Sequence, residues 1–158
     1  MVVMREVLFI CTGNYYRSRL AEALFNHGAE ERGLAWRAFS RGLATHLVDG
    51  AGDISLNTRF ALLARGVPLR HTGARPMQLA LRDLERAARV VALKEAEHRP
   101  LLRALFPAWE DRVEYWHVHD VDVGPPDVAV AEIERLTHGL LDGIAPDGPD
   151  TQARPRVI

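Results

Sequence analysis

The sequence has few of the features that define a membrane, a disulfide-stabilised or a nucleic-acid-binding protein. Its 158 residues include one cysteine, Cys11, and a single cysteine cannot close an internal disulfide, which favours a reducing compartment. No apolar stretch approaches the roughly 20 residues that span a bilayer, and residues 1–6 lack the basic-then-apolar order of a signal peptide. The formal net charge of −1 gives no bias toward nucleic acid or anionic membranes. We therefore expect a cytoplasmic protein that binds neither nucleic acid nor a membrane.

The apolar residues that are present, 47% of the chain, predict one compact domain. Apolar runs flanked by turn residues predict strands, and longer stretches with helical periodicity predict helices between them. The predicted strands are 7–10, 36–39, 90–93 and 113–118, in the order β-α-β-α-α-β-α-β-α. This order favours an α/β fold: a single three-layer domain with a central four-stranded parallel sheet and helices on both faces. We assign residues 1–144 to the domain and 145–158, rich in Pro, Gly and Asp, to a flexible C-terminal tail.

Residues 11–18, which read C-T-G-N-Y-Y-R-S, follow the first predicted strand and open the first predicted helix. Gly13 and Asn14 tolerate positive φ, so the chain can curl until the amides of residues 12–17 point at one anion, with the helix dipole behind them. The same amides would stabilise the thiol of Cys11 as the nucleophilic thiolate. The segment therefore predicts a phosphate-binding loop with a cysteine nucleophile at the end of the first strand.

Two further side chains of the segment fit this chemistry. The planar guanidinium of Arg17 can hold two oxygens of a phosphoryl group and stabilise charge in the transition state. The hydroxyl of Ser18 can donate to the cysteine sulfur and stabilise the thiolate when it leaves. A cysteine after an apolar run is by itself most often a buried small residue, and it is the Arg and Ser at these positions that favour a catalytic one.

These residues resemble the phosphate loop of the low-molecular-weight protein tyrosine phosphatases, and the resemblance covers about residues 5–144. Residues 19–25 are similar to the family's first helix, 40–42 to its small-residue turn after the second strand, and 66–71 to its Gly-Ile-Pro stretch that ends in a histidine. The resemblance implies a loop that binds phosphate and a hydrogen-bonded network that supports the loop. The phosphate-binding residues are then Thr12, Gly13, Asn14, Tyr15, Tyr16, Arg17 and Ser18, and the supporting network comprises Asn14, Ser18, Ser40 and His71.

The resemblance also implies a general acid on the loop between the last strand and the last helix, where the family usually has Asp-Pro. Asp120 matches that position without a gap and is the predicted acid, which would protonate the departing oxygen and then activate water. Asp122 is the alternative, since Gly124 and Pro125 give it a loop setting, and Val121 stands where the proline is expected.

The implied reaction is hydrolysis of a phosphomonoester, either phosphotyrosine on a protein or a small aryl phosphate, with no metal or other cofactor. Tyr15 and Tyr16 are expected either to line the pocket or to pack against the first helix. Two other functions stay open, namely arsenate reduction with an external thiol and a catalytically weak phosphate-binding module. The first needs that external thiol because the chain has a single cysteine and the reductase cycle typically uses additional ones.

The remaining polar residues are interpreted as structural or surface positions. His117 and His119 share one face of a predicted strand, but no third metal ligand is evident beside them. Glu95, Glu97 and His98 are expected to form a solvated helix start.

Overall fold

Four parallel strands form one sheet in the order β2-β1-β3-β4. The computed structural model describes residues 3–120 and 126–144, so Asp122 and the predicted tail lie outside the described residues. The strands are β1 (Arg5–Cys11), β2 (Trp36–Gly42), β3 (Arg89–Ala92) and β4 (Glu114–Tyr115), and the helices are α1 (Arg17–Glu31), α2 (Leu56–Ala64), α3 (Leu81–Arg86), α4 (Glu95–Leu105) and α5 (Pro126–Asp142). Short 3-10 turns cover Thr45–Val48, Leu69–His71 and Pro107–Trp109. The predicted order of strands and longer helices is confirmed.

The last strand is shorter than the predicted stretch over 113–118. β3 ends at Ala92 and the chain turns into α4 at Glu95, so the final strand soon loses its regular partner. Beyond β4 the chain still follows β3, because the amides of Trp116 and Val118 donate to the carbonyls of Ala92 and Leu93, each at 2.8 Å. These two bonds guide the chain toward Asp120.

Alternate side chains of β1 enter two separate cores, as the predicted three-layer arrangement requires. Val7 and Phe9 belong to the core that α1 and α5 cover, and Leu8 and Ile10 belong to the core that α3 and α4 cover. All four side chains are fully buried, which explains why β1 is a continuous apolar run instead of an alternating one. None of the described helices combines the length and the apolar character needed to cross a membrane.

The end of β2 lies against the loop that follows β1. Gly42 pairs with Cys11 in the parallel register. A Cβ at Gly42 would stand 2.8 Å from the carbonyl oxygen of Thr12 and 2.9 Å from the amide nitrogen of Asn14. Both neighbours are backbone atoms, which cannot move aside as a flexible side chain can. A glycine at this position therefore lets β2 support the loop at close range.

We predict that Gly42→Ala will displace the loop backbone and lower the free energy of unfolding by about 1–3 kcal/mol, the usual cost of overpacking. It should also weaken the binding of inorganic phosphate, because the displaced amides no longer converge. Chemical denaturation and calorimetric titration with phosphate measure the two effects. Gly73→Ala is the matched control, since a Cβ there meets nothing within 4 Å. Equal behaviour of the two variants would contradict the prediction.

Candidate active site

The loop between β1 and α1 is held from outside by donors to its carbonyl oxygens. The amides of Leu43 and Ala44 donate to the carbonyl oxygens of Cys11 and Thr12. The amide of Ser55 donates to the carbonyl oxygen of Tyr15, and the hydroxyl of Thr58 donates to that of Tyr16. These four hydrogen bonds are 2.8–3.0 Å long. In a planar trans peptide the next amide points the opposite way. The amides of residues 12, 13, 16 and 17 therefore turn inward, as an anion-binding loop requires.

Asn14 organises the inside of the loop. It has φ of 53°, a left-handed conformation that Asn tolerates better than most residues. The amide of Met77 donates to Asn14 Oδ1 at 2.9 Å, and this donor fixes the orientation of the side-chain amide. Asn14 Nδ2 then donates to Ser18 Oγ at 2.8 Å and to Ser40 Oγ at 2.9 Å.

The hydroxyl of Ser18 lies between Asn14 and the sulfur of Cys11. Ser18 Oγ accepts from Asn14, and its own proton can be donated to Cys11 Sγ, which lies 2.9 Å away. Cys11 is almost fully buried at 2% exposure, close to the N-terminus of α1. A hydroxyl donor and a helix N-terminus both stabilise negative charge that develops on the sulfur during a reaction.

The supporting network continues from Ser40 to Glu22 and does not pass through His71. Ser40 Oγ donates to Glu22 Oε1 at 2.6 Å, and Thr72 Oγ1 donates to the same oxygen at 3.0 Å. His71 is buried, but within the described residues its Nε2 has no hydrogen-bond partner, and its ring lies against that of His27 at 5.4 Å. Glu22 and Thr72 therefore make the contacts that were predicted for His71, whose ring packs against that of His27 instead.

A buried arginine ties this network to two surface loops. Arg19, which is 1% exposed, donates from Nε to Thr72 Oγ1 at 2.7 Å and from its terminal nitrogens to the carbonyl oxygens of Asn14, Asp53 and Gly73. Burial lowers the pKa of Arg19 and raises the pKa of Glu22. The sequence interpretation assigned neither residue a role.

Arg17 is oriented by a carboxylate beneath the loop. Glu97 binds its guanidinium through two hydrogen bonds, Oε1 to NH1 at 3.1 Å and Oε2 to NH2 at 2.6 Å. NH1 also donates to the carbonyl oxygen of Val118 at 3.1 Å, and NH2 lies 3.4 Å from Asp120 Oδ2. Burial opposes the charged form of Arg17, but the bond to Glu97 and the surrounding negative groups raise its pKa above the ordinary value.

Glu97 and His98 are not the solvated helix start that the sequence predicted. His98 is fully buried, and Glu97 accepts hydrogen bonds from Arg17 and Thr12. Burial would raise the pKa of Glu97, but bonds from His98, Arg17 and Thr12 outweigh it and hold that pKa far below the usual range. Their position in the predicted topology could have identified them as site residues. The helix α4 starts at the carboxyl end of β3, beside the carboxyl end of β1, and parallel sheets bind ligands at this edge.

A cavity of about 220 Å³ opens above the loop. The sulfur-bearing, cationic and carboxylate groups predicted for catalysis share it with aromatic and polar side chains; its lining is Cys11, Gly13, Tyr15, Tyr16, Arg17, Val48, Ser55, Asn57 and Asp120. Both tyrosines line the cavity. Tyr16 also packs in the core at 6% exposure and donates to the carbonyl oxygen of Pro126 at 3.3 Å, so the two alternatives for this residue are both realised.

A buried sulfur, a guanidinium and a carboxylate meet at this cavity, and together they are suited to bind a phosphoryl group. His117 and His119 have their rings 5.2 Å apart, but across residues 3–120 and 126–144 no three His, Cys, Asp or Glu side chains converge as metal ligands would.

Known proteins share this architecture. The family model for the low molecular weight phosphotyrosine protein phosphatases matches residues 6–135. The protein-arginine-phosphatase of Bacillus subtilis (strain 168) is 29% identical over 108 residues, which are 68% of this chain and 67% of the relative. The low molecular weight protein tyrosine phosphatase from T. tengcongensis is similar in structure with a TM-score of 0.73 at 26% identity, covering 87% of this chain and 98% of the other. The YwlE arginine phosphatase from Geobacillus stearothermophilus gives 0.66 at 25% identity, covering 87% and 91%.

The family match runs from β1 through the phosphate loop and well into α5, and so includes every element that lines the cavity. The predicted resemblance and the predicted fold are thus both confirmed. The chain belongs to the low molecular weight phosphotyrosine protein phosphatase family.

Proposed function

We propose that this phosphatase hydrolyses phosphomonoesters through a phosphocysteine formed on Cys11, with Arg17 binding the phosphoryl group and Asp120 acting as general acid and base. One observation carries the proposal: the sulfur, the guanidinium and the carboxylate line the same cavity. The inward amides of the loop supply the remaining donors for the phosphoryl oxygens.

The reaction follows from these positions in two steps. The Cys11 thiolate attacks phosphorus, the bond from phosphorus to the ester oxygen breaks, and Asp120 delivers a proton to the departing oxygen. Asp120, now ionised, then takes a proton from a water that attacks the phosphocysteine. The phosphorus–sulfur bond breaks, inorganic phosphate leaves, and the Ser18 hydroxyl stabilises the returning thiolate. Arg17 and the loop amides hold the equatorial oxygens in both steps.

Phosphotyrosine on a protein, or a small aryl phosphate, is the proposed substrate class. The rings of Tyr15 and Tyr16 on the cavity wall support it, because they can contact an aryl leaving group. Phosphoarginine is the second candidate, since two of the relatives are arginine phosphatases. We also place the enzyme in the cytoplasm, where a thiolate nucleophile stays reduced.

We expect the purified protein to hydrolyse p-nitrophenyl phosphate in the presence of a chelator, and Cys11→Ser to lose this activity. The serine hydroxyl is a far weaker nucleophile at neutral pH than a thiolate, so the rate should fall by at least about 10³-fold. Release of p-nitrophenol measures the reaction. Vanadate-sensitive phosphate binding without turnover by the unmodified chain would contradict the proposal and indicate a phosphate-binding module. Turnover of arsenate only with an added thiol would indicate the reductase.

We expect a phosphotyrosine peptide to exceed the matching phosphoarginine peptide in kcat/KM by about 5-fold, because ring contacts of this kind contribute on the order of 1 kcal/mol. Phosphate release from the two peptides gives the ratio. Tyr15→Leu keeps an apolar side chain at this position but removes the ring, and should bring the ratio of the two kcat/KM values toward one. A ratio that favours phosphoarginine would assign the enzyme to the second class without affecting the phosphocysteine mechanism.

We predict that Asp120→Ala will slow phenyl phosphate hydrolysis by about 10²-fold or more, the usual contribution of a general acid. It should slow esters with very good leaving groups much less, because these depart without a proton. The dependence of kcat/KM on leaving-group basicity measures the effect, because kcat/KM reports formation of the phosphocysteine and not its later hydrolysis. Asp122→Ala is the matched control. The same pattern from that variant alone would show that Asp122 is the acid.

A further inference from the structure

The side chain of Thr12 makes hydrogen bonds that the proposed phosphate-binding role of its backbone amide does not explain. Its hydroxyl donates to Glu97 Oε2 and lies 3.1 Å from His98 Nε2. Neither of these partners belongs to the cavity lining, which is made by other residues of the loop and its neighbours. The Thr12 hydroxyl therefore acts beneath the loop, and any effect on the substrate must pass through Glu97.

The direction of these hydrogen bonds is fixed by one backbone group. The amide of Lys94 donates to His98 Nδ1 at 3.0 Å, so Nδ1 is an acceptor and the ring proton is on Nε2. His98 is fully buried, and this burial lowers its pKa, which keeps the ring neutral. Nε2–H is then shared between Thr12 Oγ1 and Glu97 Oε2, 3.2 Å away, and the Thr12 proton goes to Glu97.

Glu97, held in this way, determines which edge of Arg17 faces the substrate. Its two oxygens occupy the edge formed by NH1 and NH2, and NH1 gives its second hydrogen to the carbonyl oxygen of Val118. A guanidinium has five N–H groups in a fixed plane. Three of them are committed to Glu97 and Val118. Nε–H and the second hydrogen of NH2, the nitrogen that lies 3.4 Å from Asp120 Oδ2, are parallel on the adjacent edge and form a fork for two phosphoryl oxygens.

We propose that Thr12, His98 and Glu97 form an arginine clamp, in which Thr12 and His98 position the Glu97 carboxylate so that Arg17 presents its Nε–NH2 edge to the equatorial oxygens of the transition state. All three are positioning residues, and Thr12 is one through its hydroxyl. This inference rests on the proposed hydrolytic function, because it specifies how that site is aligned.

The test compares Thr12→Val, which removes the hydroxyl at constant shape, with Thr12→Ser, which retains it. On p-nitrophenyl phosphate Thr12→Val should lower kcat by about 10-fold and Glu97→Gln by about 10²-fold, the range expected when a reacting group is misplaced. Thr12→Ser should recover most of the loss. The double variant Thr12→Val/Glu97→Gln should be no slower than Glu97→Gln, because Thr12 acts only through Glu97.

Two oxyanions separate alignment from general damage to the loop. Vanadate adopts the five-coordinate geometry of the transition state, whereas inorganic phosphate is tetrahedral. Thr12→Val and Glu97→Gln should each weaken inhibition by vanadate about 10-fold relative to inhibition by phosphate. Glu97→Gln should not weaken phosphate binding, since it removes a negative charge near the anion. A merely structural role would weaken both oxyanions equally, because the whole loop would be displaced.

Thr137→Val is the matched control, because Thr137 is a fully buried threonine on α5 whose hydroxyl bonds to Ile133 of the same helix. It should leave kcat unchanged. An equal kcat for Thr12→Val and Thr12→Ser, or additive losses in the double variant, would overturn the inference while the unmodified enzyme still turns over. Thermal unfolding shows whether Glu97→Gln folds. If it does not, the inference is tested by comparing Thr12→Val with Thr12→Ser in kcat and in the ratio of vanadate to phosphate inhibition. Failure of the unmodified enzyme to turn over would instead reject the proposed function.

Discussion

Hydrogen bonds at this site run in one direction, because a backbone N–H stands at the start of each chain of bonds. The amide of Met77 fixes the side chain of Asn14, and from there the donors lead through Ser18 to the sulfur of Cys11. The amide of Lys94 fixes His98, and from there the donors lead to Glu97. A backbone amide cannot exchange its role as a tautomer or a rotated hydroxyl can. The surroundings of the Cys11 sulfur and of the Arg17 guanidinium are thus each fixed by the path of the main chain.

Such an arrangement requires that polar groups be buried, and each of the two buried arginines beside the loop has several hydrogen-bond partners. Arg17 and Arg19 are among the largest fully buried side chains, and an unpaired buried charge would destabilise the fold strongly. Arg17 has a bidentate carboxylate partner, whereas Arg19 binds a hydroxyl and three carbonyl oxygens. The two guanidiniums differ accordingly. Arg17 keeps its Nε–NH2 edge for an anion, whereas the donors of Arg19 bind surface loops to the start of α1.

The fold and the loop could be predicted from the sequence because both depend on patterns of residues that are close together in the chain. Buried strands between helical repeats specify a parallel sheet, and the Cys, Gly, Asn, Arg and Ser of residues 11–18 have their roles within eight positions. Glu22, Glu97 and His98 were missed, since their roles arise only when separate segments meet at one end of the sheet. A Glu at a helix start has the same local signature whether it faces water or Arg17. The structure does not connect the His71 ring to the supporting network, because the position of a residue in the chain does not determine where its side chain points.

The bond from Arg17 to the carbonyl oxygen of Val118 has a consequence for how kinetic data on this enzyme are understood. Val118 lies two residues before Asp120, so the guanidinium of Arg17 also holds the segment that carries the Asp120 carboxylate. Under the proposed mechanism, phosphoryl binding and proton delivery therefore depend on the same hydrogen bond. A change at Arg17 alters the geometry of both, and a rate measured on such a variant reports their product. The two contributions separate only when leaving-group dependence and oxyanion affinity are measured on the same variant.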